Sequence, residues 1–237
     1  MGSELQIIFR DQHLAAINKP HGLLVHPSAM AKNAPQSAQQ MLRNILGQWV
    51  YPVHRLDRKT AGVLLFALDK ETNSMMQQQF MNGQVEKTYH AIVRGYCPES
   101  GIIDYPITND KGIRQNAITN YKRIGTAELP VPQGNFQTSR YSLVEVKPVT
   151  GRMHQIRKHF AHIMHPIIGD RPYGCNKQNR LFKEKWNHTE MLLHASSLSF
   201  VHPYSGTSVH IEAPFHPAYD RILALMGWSS SPRSLKK

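Results

Sequence analysis

The stretch PVHRLDRKTAGVLLFALDK, residues 52–70, places one carboxylate, Asp57, between Arg55 and Arg58 and just before an apolar run. The run, residues 62–68, is typical of a buried strand, and a loop at the edge of such a strand is held rigidly. Flanking arginines favour the ionised form of a carboxylate. The pattern therefore predicts a positioned, ionised Asp57 that can act as a nucleophile. The alternative interpretation is an exposed ion-pair loop, which is common on protein surfaces.

The overall charge indicates a polyanionic partner. Lys and Arg outnumber Asp and Glu by 28 to 16, which gives a formal net charge of +12. No apolar run approaches the ~18 residues of a membrane span, and the N-terminus lacks a signal-peptide pattern. The two cysteines, Cys97 and Cys175, agree with a reducing compartment. We therefore expect a cytoplasmic protein that binds nucleic acid and does not bind a membrane.

The order of the predicted elements indicates a mixed α+β fold. Hairpins occur without regular βαβ alternation, which predicts a central, mostly antiparallel mixed sheet with flanking helices and a catalytic cleft. The predicted strands are residues 5–9, 14–18, 62–68, 88–93, 138–146, 192–201 and 208–211, and the predicted helices are 36–46, 70–81, 152–163 and 217–226.

Two further regions complete the predicted organisation of the chain. Residues 108–135 contain Gly, Pro and Asn breaks and several cations, so we expect an insertion in the sheet. The tail 229–237 has too little apolar material to become ordered. We expect one catalytic domain over residues 1–228 with no preceding RNA-binding domain.

Two more segments supply candidate site residues. Tyr89 follows Lys87 on a predicted strand, where a tyrosine is more often part of the core. Arg152 lies at the start of the predicted helix in TGRMHQIR, residues 150–157. A cation is electrostatically disfavoured at a helix N-terminus, so its position there indicates a specific anionic partner. Arg157 is the other candidate for that pairing.

The segments HRLDRKTAG, KTY and TGRMHQIR resemble the motifs of the RluA-type pseudouridine synthases. Ala61 stands where that family usually has serine, a change that leaves the carboxylate in place. The resemblance extends over residues 9–211. The string TAELPVP, residues 126–132, and residues 140–170 are most similar to the tRNA-modifying branch.

This resemblance implies the pseudouridine synthase fold and an RNA uridine isomerase, with its target uridine in the tRNA acceptor stem near the T arm. By position, it implies that Asp57 is the catalytic carboxylate, that Tyr89 packs on the uracil, and that Arg152 pairs with Asp57. It also implies that Arg55 fills the space that the extruded base leaves. Arg157 is the alternative to Arg152 as the partner of Asp57.

The remaining expected site residues bind RNA or enclose the base. Alongside Arg55, the candidates for RNA binding are Arg58, His54 and Arg157. A pocket that excludes water around the base is expected from Val63, Leu65 and Leu193.

The expected reaction needs no cofactor, because it involves no oxidation, hydrolysis or group donor. His159, His162 and His165 are spaced by three residues, so two of them could share a helix face and suggest a metal site, but Pro166 ends that helix at once. Neither an H-E-x-x-H motif nor a cysteine ligand set is present, so we expect no metal. The protein is expected to be a monomer.

Two alternative functions are a synthase acting on ribosomal RNA and a non-catalytic RNA-binding protein. Ribosomal-RNA relatives often carry an extra N-terminal RNA-binding domain, whereas the catalytic motifs of this chain begin almost at once. A protein that only binds a polyanion gains nothing from an acid among arginines, so Asp57 favours an enzyme.

Overall fold

The computed structural model describes residues 5–27 and 36–229. It confirms the predicted α+β class with a large, mostly antiparallel sheet. Residues 230–237, which belong to the predicted tail, lie outside the described part of the chain. The elements in chain order are β1 (Ile7–Arg10), β2 (Leu14–Lys19), α1 (Ala38–Leu46), β3 (Tyr51–Pro52), β4 (Ala61–Ala67), α2 (Lys70–Met81), β5 (Glu86–Arg94), β6 (Ser100–Asp104), β7 (Ile107–Thr108), β8 (Arg114–Gln115), β9 (Ile118–Leu129), β10 (Ser139–Pro148), α3 (Gln155–His162), α4 (Asn176–Trp186), β11 (Leu193–Val201), β12 (Ser208–Glu212) and α5 (Pro217–Leu225).

The chain divides into two compact units. Unit 1 contains the described residues up to Lys87 together with Ala195–Pro214, and unit 2 contains Thr88–His194 with the described residues from Phe215 onward. The single catalytic domain and the cleft stay predictions. No helix in the described part of the chain is long and apolar enough to cross a membrane.

Unit 1 carries the strand that follows Asp57. Its strand order is β1-β2-β4-β11-β12, and β3 also pairs with β4. All residues of β2 and β4 are buried, and one face of β4 packs in a core that includes Met76 of α2 and Phe200 of β11. In the antiparallel β2–β4 ladder, Lys19 lies opposite Gly62. The last residue of β2 is therefore beside the point where the Asp57 loop enters β4.

Gly62 allows this junction to form. Its φ is +109°, a conformation that L side chains rarely adopt, and a Cβ at this position would lie 2.1 Å from the Ala195 carbonyl oxygen. The backbone of β4 therefore approaches β11 more closely than any side chain would permit. This contact holds the strand end to which the Asp57 loop is attached.

Unit 2 contains the strand order β5-β10-β9-β6 and a separate β7–β8 hairpin. The prediction that residues 108–135 form an insertion in the sheet is wrong, because β9 pairs with β10 from Thr119↔Pro148 to Leu129↔Ser139 and with β6 on its other side. At the start of β9, buried Thr119 and Tyr121 alternate with exposed Asn120 and Lys122. The polar residues that suggested a loop lie on the exposed face of a strand.

The helices of unit 2 also differ from the prediction. Helix α3 begins at Gln155, three residues after Arg152, because His154 adopts a left-handed conformation with φ of 57°. The inference that placed Arg152 at a helix N-terminus is therefore wrong, since Arg152 precedes the helix. Helix α4 was not predicted from the sequence, because only Gln178 and Phe182 are buried in it.

We expect Gly62→Ala to reduce the free energy of unfolding by about 3 kcal/mol, since backbone strain adds to a clash with the Ala195 backbone. Gly83→Ala is the matched control, because Gly83 has φ of +71° and a Cβ added there would meet nothing within 4 Å. The control should lose only about 1 kcal/mol. Urea unfolding of both variants measures the difference, and equal losses would contradict the role of the close approach.

Candidate active site

The Asp57 loop is anchored by buried residues on both sides of the carboxylate. Leu56 and Thr60 are buried, whereas Asp57 is half-buried and Arg55 and Arg58 are exposed. A turn closes the loop, because the Thr60 backbone N–H donates to the Asp57 carbonyl oxygen at 3.0 Å. In this loop, buried residues that hold it in place alternate with residues that are exposed to solvent.

Arg58 ties this loop to the segment after β2. Its Nε donates to the Gly22 carbonyl oxygen at 2.9 Å, and the Gly22 backbone N–H donates to the Arg58 carbonyl oxygen at 2.8 Å. The guanidinium therefore contributes to the shape of the loop. The predicted contact of Arg58 with RNA stays a prediction, as does that of Arg55.

Lys19 is a site residue that the sequence analysis missed. Its side chain is fully buried, and its Nζ donates to the carbonyl oxygens of Pro20 at 3.0 Å, Leu23 at 2.9 Å and Arg58 at 3.1 Å. Burial lowers the pKa of Lys19 to about 7, while the charge of Asp57 raises it and that of Arg58 lowers it. The available signal was a lysine at the end of the mostly apolar strand LAAINK.

His54 is held within unit 1 as a neutral ring. The Leu65 backbone N–H donates to its Nε2 at 3.1 Å, and its ring stacks on Phe80 with centroids 5.0 Å apart. Burial, with a smaller contribution from the charge of Lys87, lowers the pKa of His54 to about 4. RNA binding by His54 stays a prediction, and the neutral ring restricts it to hydrogen bonding or stacking.

Tyr89 lies near the start of β5 in unit 2, opposite Val146 of β10. It is half-buried and packs against a core cluster that includes Leu193 and Ile156. The strand position predicted for it is correct. Its packing on a uracil stays a prediction.

A buried amide holds the segment that carries Arg152. The Gln155 side-chain oxygen accepts from the Thr150 hydroxyl at 2.6 Å and the Arg152 backbone N–H at 2.9 Å. Its Nε2 donates to the Ile118 carbonyl and the Thr119 hydroxyl, both at 2.9 Å. Gln155 thus fastens residues 150–152 to β9, and the exposed Arg152 side chain donates through Nε to the Asn116 carbonyl at 3.1 Å.

Arg157 is buried in unit 2 with a carboxylate partner. Its Nε donates to Asp170 Oδ2 and its terminal nitrogen to Asp170 Oδ1, each at 2.8 Å. Both side chains are at most 5% exposed. The guanidinium lies 5.1 Å from the centre of the Tyr173 ring, and the Tyr173 hydroxyl is 3.0 Å from His154 Nδ1. Arg157 thus braces α3 and the His154 turn, and its predicted roles toward RNA and Asp57 stay predictions.

The histidines considered as metal ligands make local contacts. His159 uses one ring nitrogen with the Thr119 hydroxyl and the other with the Tyr105 carbonyl, both at 2.9 Å. His162 stacks on Tyr105 with centroids 3.6 Å apart. Within residues 5–27 and 36–229, no three His, Cys, Asp or Glu side chains are grouped so as to hold a metal ion.

A model of the RNA pseudouridylate synthase family matches residues 13–162, more than half of the chain. The chain belongs to this family. Among its relatives, tRNA pseudouridine synthase C of Vibrio cholerae is 43% identical, over 96% of this chain and 98% of that protein. The protein of the same name from Yersinia pestis is 41% identical, over 98% of this chain and 95% of that protein.

Solved structures agree with the fold of an RNA pseudouridylate synthase. Human RNA Pseudouridylate Synthase Domain Containing 4 superimposes with a TM-score of 0.72 at 24% identity, over 94% of this chain and 93% of that one. Human RNA Pseudouridylate Synthase Domain Containing 1 gives a TM-score of 0.70 at 22% identity, over 96% of each chain. The predicted pseudouridine synthase fold is confirmed.

In this family member, the three apolar residues predicted to enclose a base lie in hydrophobic cores. Val63 and Leu65 belong to the core of unit 1, and Leu193 belongs to that of unit 2. None of them is more than 3% exposed. They support the strands from which the Asp57 loop and Tyr89 project, and their place in a base pocket stays a prediction.

The pKa of Lys19 predicts a pH dependence of stability. In the unfolded chain, lysine keeps its proton up to about pH 10.5, whereas folded Lys19 loses it near pH 7. The unfolded state therefore binds more protons between these pH values, so the contribution of Lys19 to stability rises with pH. Urea unfolding should show that the free energy of unfolding of wild type rises, relative to that of Lys19→Met, by on the order of 1 kcal/mol per pH unit above pH 7. Exposed Lys70→Met is the control, and a constant difference for Lys19→Met would refute the buried, titrating amine.

The Arg157–Asp170 pair predicts a large loss of stability on breaking it. Arg157→Met leaves the Asp170 charge buried without its partner, which costs about 3–5 kcal/mol. The control is Arg180→Met, which removes an exposed pair with Glu184 at 2.9 Å and should cost at most about 1 kcal/mol. Thermal or urea unfolding compares the two variants. Similar small losses of stability in both variants would show that the fold tolerates the buried Asp170 without its pairing to Arg157.

Proposed function

We propose that the protein converts a uridine of tRNA to pseudouridine. The observation that carries this proposal is the likeness, at 40–43% identity and along nearly the whole chain, to proteins named tRNA pseudouridine synthase C. The target we propose lies in the acceptor stem near the T arm. Two features support the proposed function. The HRLDRKTAG loop supplies a carboxylate, and the net charge of +12 attracts a polyanion.

The reaction is an isomerisation, so its atoms balance without a second substrate. The bond between N1 of uracil and C1′ of ribose breaks, the base turns, and a bond between C5 and C1′ forms. The proton lost from C5 is balanced by the proton gained at N1. No oxidant, reductant or group donor enters, and we therefore propose that no cofactor takes part.

Asp57 is the group that we propose acts on the nucleotide. Its loop is closed by the Thr60–Asp57 backbone hydrogen bond. The loop is also held by Lys19, whose Nζ donates to the Arg58 carbonyl oxygen. A carboxylate on so constrained a loop meets its substrate in one geometry, which is the main contribution of positioning to catalysis. Three roles are open to it, attack on ribose, attack on the base and removal of a sugar proton, and each of them requires the carboxylate.

Three further residues complete the proposed mechanism. Arg152 pairs with Asp57, and RNA that covers the exposed guanidinium strengthens this pairing by removing water. Tyr89 packs on the freed uracil, so that the base stays in place while it turns. Arg55 enters the space that the base leaves in the RNA stack, because a guanidinium both stacks and hydrogen-bonds.

The rival proposal is a protein that binds tRNA without modifying it. Net charge supports both functions equally, whereas the carboxylate among arginines favours catalysis. Monomeric state and a cytoplasmic location stay predictions under either function.

Asp57→Asn is expected to abolish pseudouridine formation in tRNA, with residual turnover below about 0.1% of wild type, because an amide is neither a nucleophile nor a base. Affinity for tRNA should change less than about twofold, since the amide keeps the shape of the side chain. Base-resolved mapping of pseudouridine in a tRNA transcript measures turnover, and filter binding measures affinity.

The matched control is Asp104→Asn, the same substitution at an exposed residue at the end of β6. It should keep full activity. Substantial turnover by the Asp57→Asn protein would exclude the proposed mechanism, and absence of product with wild type on all tRNA would favour the non-catalytic rival.

A further inference from the structure

Two basic grooves of unit 2 lie on either side of α4, outside the predicted catalytic residues. The first has a volume of about 740 Å³ and is lined by residues that include Arg94, Tyr96, Phe136, Arg140 and Lys177. The second has a volume of about 260 Å³ and is lined by residues that include Arg171, Arg180 and Lys183. Helix α4 therefore supplies at least one cation to each groove.

The cations of these grooves exceed the acids that face them. Arg140 is 3.2 Å from Glu128, and Arg180 is 2.9 Å from Glu184. Arg94, Arg171, Lys177 and Lys183 form no salt bridge with any residue in the described part of the chain. Because exposed pairs contribute little, the two paired arginines are also available to a phosphate.

Aromatic side chains accompany the cations in the first groove. Phe136 is 71% exposed and Tyr96 is 42% exposed, and the Arg140 guanidinium lies 5.4 Å from the centre of the Tyr96 ring. Phe136 is therefore an apolar ring that a ligand can cover. Cations beside exposed aromatic rings favour RNA over an acidic peptide, since the rings stack on bases while the cations contact the backbone.

The first groove is separated from Tyr89 along the same strands. In the β5–β10 ladder Tyr89 pairs with Val146, whereas Arg94 pairs with Tyr141, five residues away. At about 3.3 Å per residue, this separation is on the order of 16 Å. A nucleotide whose base lies on Tyr89 cannot also occupy the groove, so the groove suits another part of the same RNA.

The two grooves can act together. Lys177 and Lys183 are six residues apart on α4, which places them on the order of 9 Å apart along the helix axis. Because the two lysines line different grooves, they contact separate phosphates of one RNA backbone that crosses the helix more readily than a single compact anion.

We propose that the two grooves beside α4 form a second RNA-binding surface, which holds a part of the tRNA outside the stem that contains the target uridine. This inference rests on the proposed function, because that function supplies tRNA as the ligand. With this surface, the protein selects its substrate RNA through contacts outside the target stem as well as through the sequence around the uridine. Its loss weakens binding of long RNA and leaves a short target stem-loop unaffected.

The test compares wild type with a Lys177→Gln, Lys183→Gln double variant and with Phe136→Ser. Dissociation constants are measured for a full tRNA transcript and for a short stem-loop that contains the same target uridine. The double variant should bind the tRNA about tenfold more weakly, and its slope of log affinity against log salt should fall by about 1.4–1.8. Phe136→Ser should weaken tRNA binding about fivefold with an unchanged salt slope. Both variants should bind the stem-loop within twofold of wild type.

The matched control is an Arg10→Gln, Lys70→Gln double variant, which removes two exposed cations from unit 1. Its tRNA affinity should stay within twofold of wild type. Equal losses in the control, or equal losses on tRNA and stem-loop, would overturn the proposal in favour of a general charge effect. Unchanged tRNA affinity in all variants would also overturn it and leave an acidic protein segment as the candidate ligand. Failure of the proposed function is separate, because it appears as absence of pseudouridine with wild type, whatever the affinities.

Discussion

The position of the Asp57 loop depends on one buried ammonium group. Lys19 donates from Nζ to three backbone carbonyls, and one of them belongs to Arg58, the residue after Asp57. A lysine is almost never fully buried unless its donors are satisfied, because removing the charge from water is costly. Below a pH of about 7, where Lys19 is protonated, the three acceptors match the three donors of the ammonium group. The loop is thereby held by a residue from another strand.

Unit 2 holds its functional segment in a similar way. Gln155 satisfies both ends of its amide with groups from β9 and from residues 150–152, and Arg157 satisfies Asp170 through two hydrogen bonds. Apolar packing has no direction, so a hydrophobic core alone does not set the path of a short loop. Buried polar groups do set it, because each unmade hydrogen bond costs about 1–3 kcal/mol.

The sequence predicts the fold class and the Asp57 loop because their signals are local. An apolar run follows the carboxylate directly, and both arginines are adjacent to it. Lys19, Gln155 and Asp170 escape such an analysis because each has a partner outside its own motif: Lys19 and Arg58 are 39 residues apart, Gln155 and Ile118 are 37 apart, and Asp170 and Arg157 are 13 apart. The likeness of motifs also does not reveal that His154 adopts a left-handed conformation and so delays the start of α3.

Strand β9 and helix α4 were missed for a different reason, which is connected with the charge of the protein. Both elements have a polar exposed face, which in α4 is rich in cations, and both bury few side chains, so their hydrophobic periodicity is weak. The cations of α4 repel one another, and this repulsion opposes folding. A polyanion that binds to such a surface offsets this repulsion. The cations that obscure α4 in the sequence are therefore best explained by the RNA-binding surface that we propose there, and not by the stability of the helix.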